Sequence, residues 1–137
     1  QCNGNGVAFL SKSMKISSLI EQRGDIHHIF PRKYLVDNGF TPKQYNQVAN
    51  FVYTEQSTNI KVGKMPPSVY LAKVREQIEK GIFDISTLDR EEDLHSNLLS
   101  NDVPTEVVDY THLDYNEFLS ARRKLMAKRI KHYYESL

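Results

Sequence analysis

Two adjacent histidines, His27 and His28, end an apolar run, Asp25-Ile26-His27-His28-Ile29-Phe30-Pro31, and two asparagines, Asn50 and Asn59, follow downstream. A neutral imidazole both accepts protons near neutral pH and binds divalent cations, so a histidine pair can supply a base and a ligand at once. A carboxamide offers an oxygen to a cation, or ties a loop through its oxygen and two N–H donors. A histidine pair near a proline is, taken alone, more often structural or incidental than catalytic. Its weight comes from the order of the parts around it. A strand ends in His-His, a hydrophobic pair and a proline follow, and beyond a loop come an asparagine leading a second strand and another asparagine nine positions later (59 − 50).

Strand geometry sets a condition on any such site. Neighbouring residues of a regular strand point to opposite faces, so His27 and His28 address one group only where the strand ends and the pleat breaks. Pro31, which has no N–H for a ladder, and the long loop after it fit such an ending. Asp25 falls on the face of His27. Three roles stay open for it: orienting the His27 ring through its second nitrogen, adding a ligand, or being solvated.

The elements that must position these residues follow from punctuation and periodicity. Residues 7–20 are apolar with irregular spacing, read as a helix end and then an extended piece, and Gly24 breaks the chain. Residues 25–30 form a first short strand, and residues 32–48 a long loop with some helix, punctuated by Asn38-Gly39 and Thr41-Pro42. Phe51-Val52-Tyr53 makes a second strand. A short helix from about Glu55 has Ser57 or Thr58 near its start. After Pro66-Pro67-Ser68 an amphipathic helix covers 68–80 and stops at Gly81, and 84–100 read as one or two short acidic helices. Asp114, with Glu117 three residues on, caps a long final helix. Its Phe118, Leu119, Leu125, Met126, Ile130 and Tyr133 form an apolar stripe expected in the core, and Arg122, Arg123, Lys124, Lys128 and Lys131 form a solvated face. The expected fold is α+β and mostly helical: two short antiparallel strands plus a helix, surrounded by helices. One domain is expected over 1–137, with a core at 24–65 and a helical extension at 66–137.

Composition suits a globular chain, 39% hydrophobic and 26% charged over 137 residues. Cys2 is the single cysteine, which excludes an intramolecular disulfide and a zinc site built on a cysteine cluster. There is no apolar run of membrane-spanning length and no basic-then-apolar leader, so a cytoplasmic location is expected. The start, Gln1-Cys2-Asn3-Gly4, has no initiator methionine and is read as a cut inside a longer protein. Net charge is +1 but unevenly spread: residues 1–83 hold 11 Lys/Arg against 6 Asp/Glu (+5), residues 84–117 hold 1 against 10 (−9), and residues 118–137 hold 6 against 1 (+5). Local field rather than net charge governs partner binding, so two basic surfaces stay available to a nucleic acid.

The order of parts over residues 24–62 resembles the HNH (ββα-metal) nuclease superfamily. The resemblance implies that His27 is the first metal ligand, His28 the general base, Asn50 the asparagine that pins the inter-strand loop, and Asn59 the last metal ligand, on the helix. Pro31 matches the proline found after the base. It implies one divalent cation, Mg, Mn, Ni or Zn. A histidine in place of the usual aspartate shifts preference toward Zn, Ni, Co or Mn. Lys61, Lys64, Arg32 and Lys33 would meet phosphate or stay solvated. His95, His112 and His132 have no ligand-like neighbours and read as structural.

A longer match, Asp25 through Leu35, Asn50 through Asn59, and Pro67-Ser68-Val69-Tyr70-Leu71, is similar to the C-terminal HNH half of GmrSD-like modification-dependent restriction proteins. Their N-terminal half is a ParB-like NTPase. The implied role is cleavage of foreign DNA in bacterial or archaeal antiviral defence, with DNA and an attached NTPase domain as partners. Two rivals stand beside it. One is a catalytically inactive DNA-binding or interaction module on the same fold, against which the presence of both His28 and Asn59 argues. The other is a structural metal, for which a closed sphere of four protein ligands lacks an obvious fourth.

Overall fold

Strand alternation places the two histidines. In the computed structural model, which describes residues 6–16 and 25–137, β1 (Asp25–His28) pairs antiparallel with β2 (Phe51–Thr54). Asp25 lies opposite Thr54, Ile26 opposite Tyr53, His27 opposite Val52 and His28 opposite Phe51. Val52 and Thr54 are buried and Phe51 and Tyr53 only half-buried, so His27 belongs to the inner face and His28 to the outer one. The Ile29 N–H still donates to the Asn50 carbonyl at 2.8 Å. Ile29 and Phe30 are then both buried, so alternation stops two residues before Pro31. The architecture is α+β and mostly helical, as the sequence implies.

The segment between the strands is more helical than expected. It holds α1 (Arg32–Asp37), α2 (Pro42–Tyr45) and a 3-10 turn at Val48–Asn50. Pro42 opens α2, where its missing N–H costs nothing, and Gly39 at φ 88° makes the turn between the two helices. α3 (Gln56–Val62) leaves β2 directly, with Glu55 rather than Ser57 or Thr58 at its N-cap; Thr58 is buried instead. α4 (Pro67–Lys80) ends at Gly81 in the left-handed region, φ 68°, as expected.

Two expectations hold only in part, because a buried amide captures the backbone. Residues 84–90 form no helix, and α5 covers only Glu91–Ser100. The Gln77 side chain accepts the N–H groups of Asp84, Ile85 and Ser86 at 3.1, 3.0 and 3.3 Å and donates to the carbonyls of Ser86 and Leu88 at 2.8 and 3.1 Å. Those donors and acceptors are the ones a helix would use. Residues 7–15 turn back on themselves, with Val7 bridging Lys15 and Phe9 bridging Thr54 of β2, and Ile16 is helical, so the extended piece comes before the helical residue rather than after a helix end. Asn97 of α5 holds that turn, accepting from the Leu10 N–H at 2.8 Å and donating to the Ala8 and Ser11 carbonyls at 3.0 Å each. The rest of the 7–20 expectation, and Gly24, lie outside the described residues.

The final helix, α6 (Tyr115–Glu135), begins at Asp114, whose carboxylate accepts the Thr111 N–H at 3.0 Å and leaves α6 without a side-chain cap bond. Its stripe is core only in part. Phe118 and Leu119 are buried and Leu125 and Met126 half-buried, whereas Ile130 and Tyr133 are 46% and 37% exposed, because the helix runs on past the body of the protein. Arg122, expected on the solvated face, is buried. One apolar cluster runs from Phe9 to Leu119. Phe30, just after the histidines, packs on Phe118 and Tyr115 at 4.9 and 5.4 Å between ring centroids, and the Tyr70 hydroxyl of α4 donates to the Ile29 carbonyl at 2.8 Å. The expected core and extension thus share their interior.

Candidate active site

Asn50 is fully buried, and a buried carboxamide must satisfy its own polar atoms. Its oxygen accepts the Phe30 N–H at 2.9 Å, and its nitrogen donates to the carbonyls of Phe30 and Tyr45 at 3.1 Å each. One side chain therefore clasps the chain just after His28 to the end of α2.

His28 closes β1 with its ring half-buried between two aromatic edges, Tyr45 at 5.9 Å and its cross-strand partner Phe51 at 5.1 Å. Its Nε2 lies 2.9 Å from Oδ1 of Asn46, the residue after α2. His27 leaves by the inner face, beside Val52 and Thr54. The ladder therefore does not put the two rings on one face, and only the end of β1 at His28 meets the geometric condition. Asn59 sits half-buried in the middle of α3, and no described residue hydrogen-bonds its carboxamide. The order β1, β2, α3 places it on the helix that follows the second strand. The side chain of Asp25 lies outside the described residues.

The candidate phosphate contacts divide. Arg32 donates from Nε to the Tyr45 hydroxyl at 3.2 Å, with its guanidinium 5.7 Å from the centre of that ring, so it stands one aromatic layer from His28. The hydroxyl raises the guanidinium above its ordinary value. Lys33 pairs with Asp37 at 2.9 Å, one helical turn on. Lys61 donates to the Asp84 carbonyl at 2.6 Å, which draws it toward the loop after α4. Lys64 is exposed just beyond α3. His95 and His132 are exposed, and His112 rests edge-on against Tyr34 at 6.2 Å.

Two residues of the site, Asn46 and Arg122, escape a reading of the sequence. Asn46 is one of several asparagines in a turn-rich stretch, and nothing in its spacing distinguishes it. Arg122 lies in a run of cations, yet its guanidinium donates to the carbonyls of Ala49 and Asn101 at 3.0 and 3.1 Å and to that of Phe51. It anchors the start of β2, and with it the ring that flanks His28. Burial pushes its pKa down to about 10, which leaves it cationic at neutral pH.

The donor set bears on a cation. Among the described residues no cluster of three or more His, Cys, Asp or Glu side chains could hold one. The donors the sequence pattern assigns are the imidazole of His27, whose Nε2 is buried, and the Asn59 carboxamide, whose side chain has no described hydrogen-bond partner. An imidazole and an amide oxygen fit Zn, Ni, Co or Mn by type, and two protein donors leave coordination positions for water and substrate.

No family model matches the chain. It is 25% identical over 114 residues to an uncharacterized protein of Methanocaldococcus jannaschii, a match that covers 76% of this chain and 20% of that protein. The chain thus spans about a fifth of the length of that curated relative. No solved structure matches it.

Proposed function

We propose that this chain is a metal-dependent HNH endonuclease domain that hydrolyses phosphodiester bonds of DNA. The observation that carries the reading is the Asn50 clasp, which holds the strand end bearing His28 against α2 through three hydrogen bonds from one buried side chain. A loop fixed so firmly beside a half-buried, solvent-reaching imidazole suits a base that must keep its place while a large substrate docks.

The chemistry divides by residue. His28 takes the proton of a water molecule as its oxygen attacks phosphorus. The bond from phosphorus to the 3′ oxygen breaks, and the departing oxygen takes its proton from solvent. A divalent cation held by Asn59, and by His27 once its ring turns from the inner face of the ladder toward the end of β1, would supply Lewis-acid charge at the phosphate and the leaving oxygen. Arg32, beside Tyr45, is a candidate cation for a backbone phosphate, as is Lys64, whereas Lys33 is engaged in an ion pair with Asp37. Cleavage of foreign DNA in antiviral defence, in the company of an attached NTPase domain, rests on the resemblance to the GmrSD-like proteins. Among the described residues no helix is long and apolar enough to cross a membrane.

A plasmid-nicking assay with Mg, Mn, Ni or Zn, each with and without chelator, tests the reading. Conversion of supercoiled plasmid that requires a divalent cation is the expected result. No conversion with any of the four would overturn it.

A further inference from the structure

We propose that Asn46 is a positioning residue for His28: its carboxamide oxygen holds the ring proton on Nε2 and leaves Nδ1 as the nitrogen that takes a proton from water. The catalytic half of this inference rests on the nuclease reading above; the placement of the proton does not.

The Asn46 Oδ1 to His28 Nε2 distance is 2.9 Å, and no other hydrogen bond to either side chain occurs among the described residues. A carboxamide oxygen is an acceptor, so a neutral ring facing it carries its hydrogen on Nε2 and its lone pair on Nδ1. The Tyr45 and Phe51 edges confine the plane of the ring, and Asn46 then selects which nitrogen is basic. A base oriented by a third group is a recurring device in hydrolytic sites.

The frame around Asn46 is rigid while its side chain is not otherwise employed. Its N–H donates to the Pro42 carbonyl at 2.9 Å, and the Tyr45 carbonyl before it receives Asn50. The neighbouring Gln44 carbonyl receives the Tyr115 hydroxyl at 2.7 Å, and Gln47 Oε1 receives Arg123 at 3.0 Å. Side chains from the first turns of α6 thus brace both sides of this residue. The Asn46 backbone, at φ −91° and ψ 59°, is not in the left-handed region, so the turn does not demand asparagine. The side chain is exposed and contributes nothing to the core. Its type is explained by His28.

The test uses the whole chain with Asn46→Ala, Asn46→Leu and Asn46→Asp, each checked for an unchanged thermal melt, as an exposed position allows. Nitrogen-15 spectra of the neutral His28 ring are expected to show protonated Nε2 and pyridine-like Nδ1 in the wild type, with an Nε2–H signal slow enough to observe. That signal should be lost to solvent exchange in the Ala and Leu variants and return in Asp, which keeps an acceptor. In the plasmid assay Ala and Leu should lower kcat about tenfold with KM changed less than about twofold, and Asp should recover most of the loss. A wild-type ring protonated on Nδ1, or an Nε2–H signal equally visible in all variants, overturns the placement of the proton. Equal kcat in wild type and Asn46→Ala overturns the catalytic part. If the wild type nicks no plasmid with any cation, the nuclease reading fails and the spectra alone decide the role of Asn46.

Discussion

At Asn50 a carboxamide with no exposed surface commits its oxygen and both hydrogens to main-chain atoms of Phe30 and Tyr45. Asn50→Ala would strip those three buried groups of their partner. At roughly 1–3 kcal/mol for each unsatisfied group, less what penetrating water recovers, a loss of about 2–4 kcal/mol in unfolding free energy is expected from urea titration. Asn50→Asp should not rescue it, because a carboxylate meets the Phe30 N–H but turns a charge on two carbonyls. Asn59 makes the opposite case. Its carboxamide has no described protein partner, so Asn59→Ala should leave stability within about 0.5 kcal/mol. The same change should weaken cation binding, measured by calorimetry, by about tenfold or more. Equal cation affinity in the two proteins would remove Asn59 from the ligand set. Asn50 and Asn59 stood out in a sequence reading because their order after a histidine pair resembles a known pattern. Asn46 did not, since its partner is a side chain on another element and its neighbours are ordinary turn residues.

At the scale of elements, α6 secures the site through Arg122. Its guanidinium reaches the carbonyls of Val48, Ala49, Phe51 and Asn101, so one side chain ties the last helix to the head of β2 and the end of α5. Arg122→Leu should destabilise the protein by about 3–5 kcal/mol and lower cleavage as Phe51 loses its anchor. Arg122→Lys should recover only part of the stability, because an ammonium cannot serve carbonyls spread as a planar fork can. Urea midpoints of the three proteins check this, and a leucine variant as stable as wild type would contradict it. Helical periodicity placed α4 and the beginning of α6 well, and β-branched and aromatic residues marked β2. It could not warn that Gln77 and Asn97 would take over the backbone groups of 84–88 and 8–11, since those contacts join residues far apart or override local propensity. Nor does an apolar stripe say where the protein's body ends, which is why Ile130 and Tyr133 emerge into solvent.

For the whole molecule, the uneven charge gives the most direct forecast about substrate. Lys124, Lys128 and Lys131 project from α6 into solvent, with Lys131 only loosely paired to Glu135 at 4.0 Å. If duplex DNA lies along this helix, replacing all three by Gln should weaken binding. It should also flatten the log–log salt dependence by about 0.9 for each phosphate that is no longer neutralised. Fluorescence anisotropy across a salt series reads that slope, and an unchanged slope would take α6 out of the interface. The central claim, however, concerns chemistry at the end of β1. Single-turnover cleavage of plasmid by wild type and His28→Ala, under the cation that supports the fastest nicking, tests it most directly. The expected result is a fall of about 10²–10⁴-fold in rate while DNA binding persists. Cleavage by His28→Ala at the wild-type rate would contradict it.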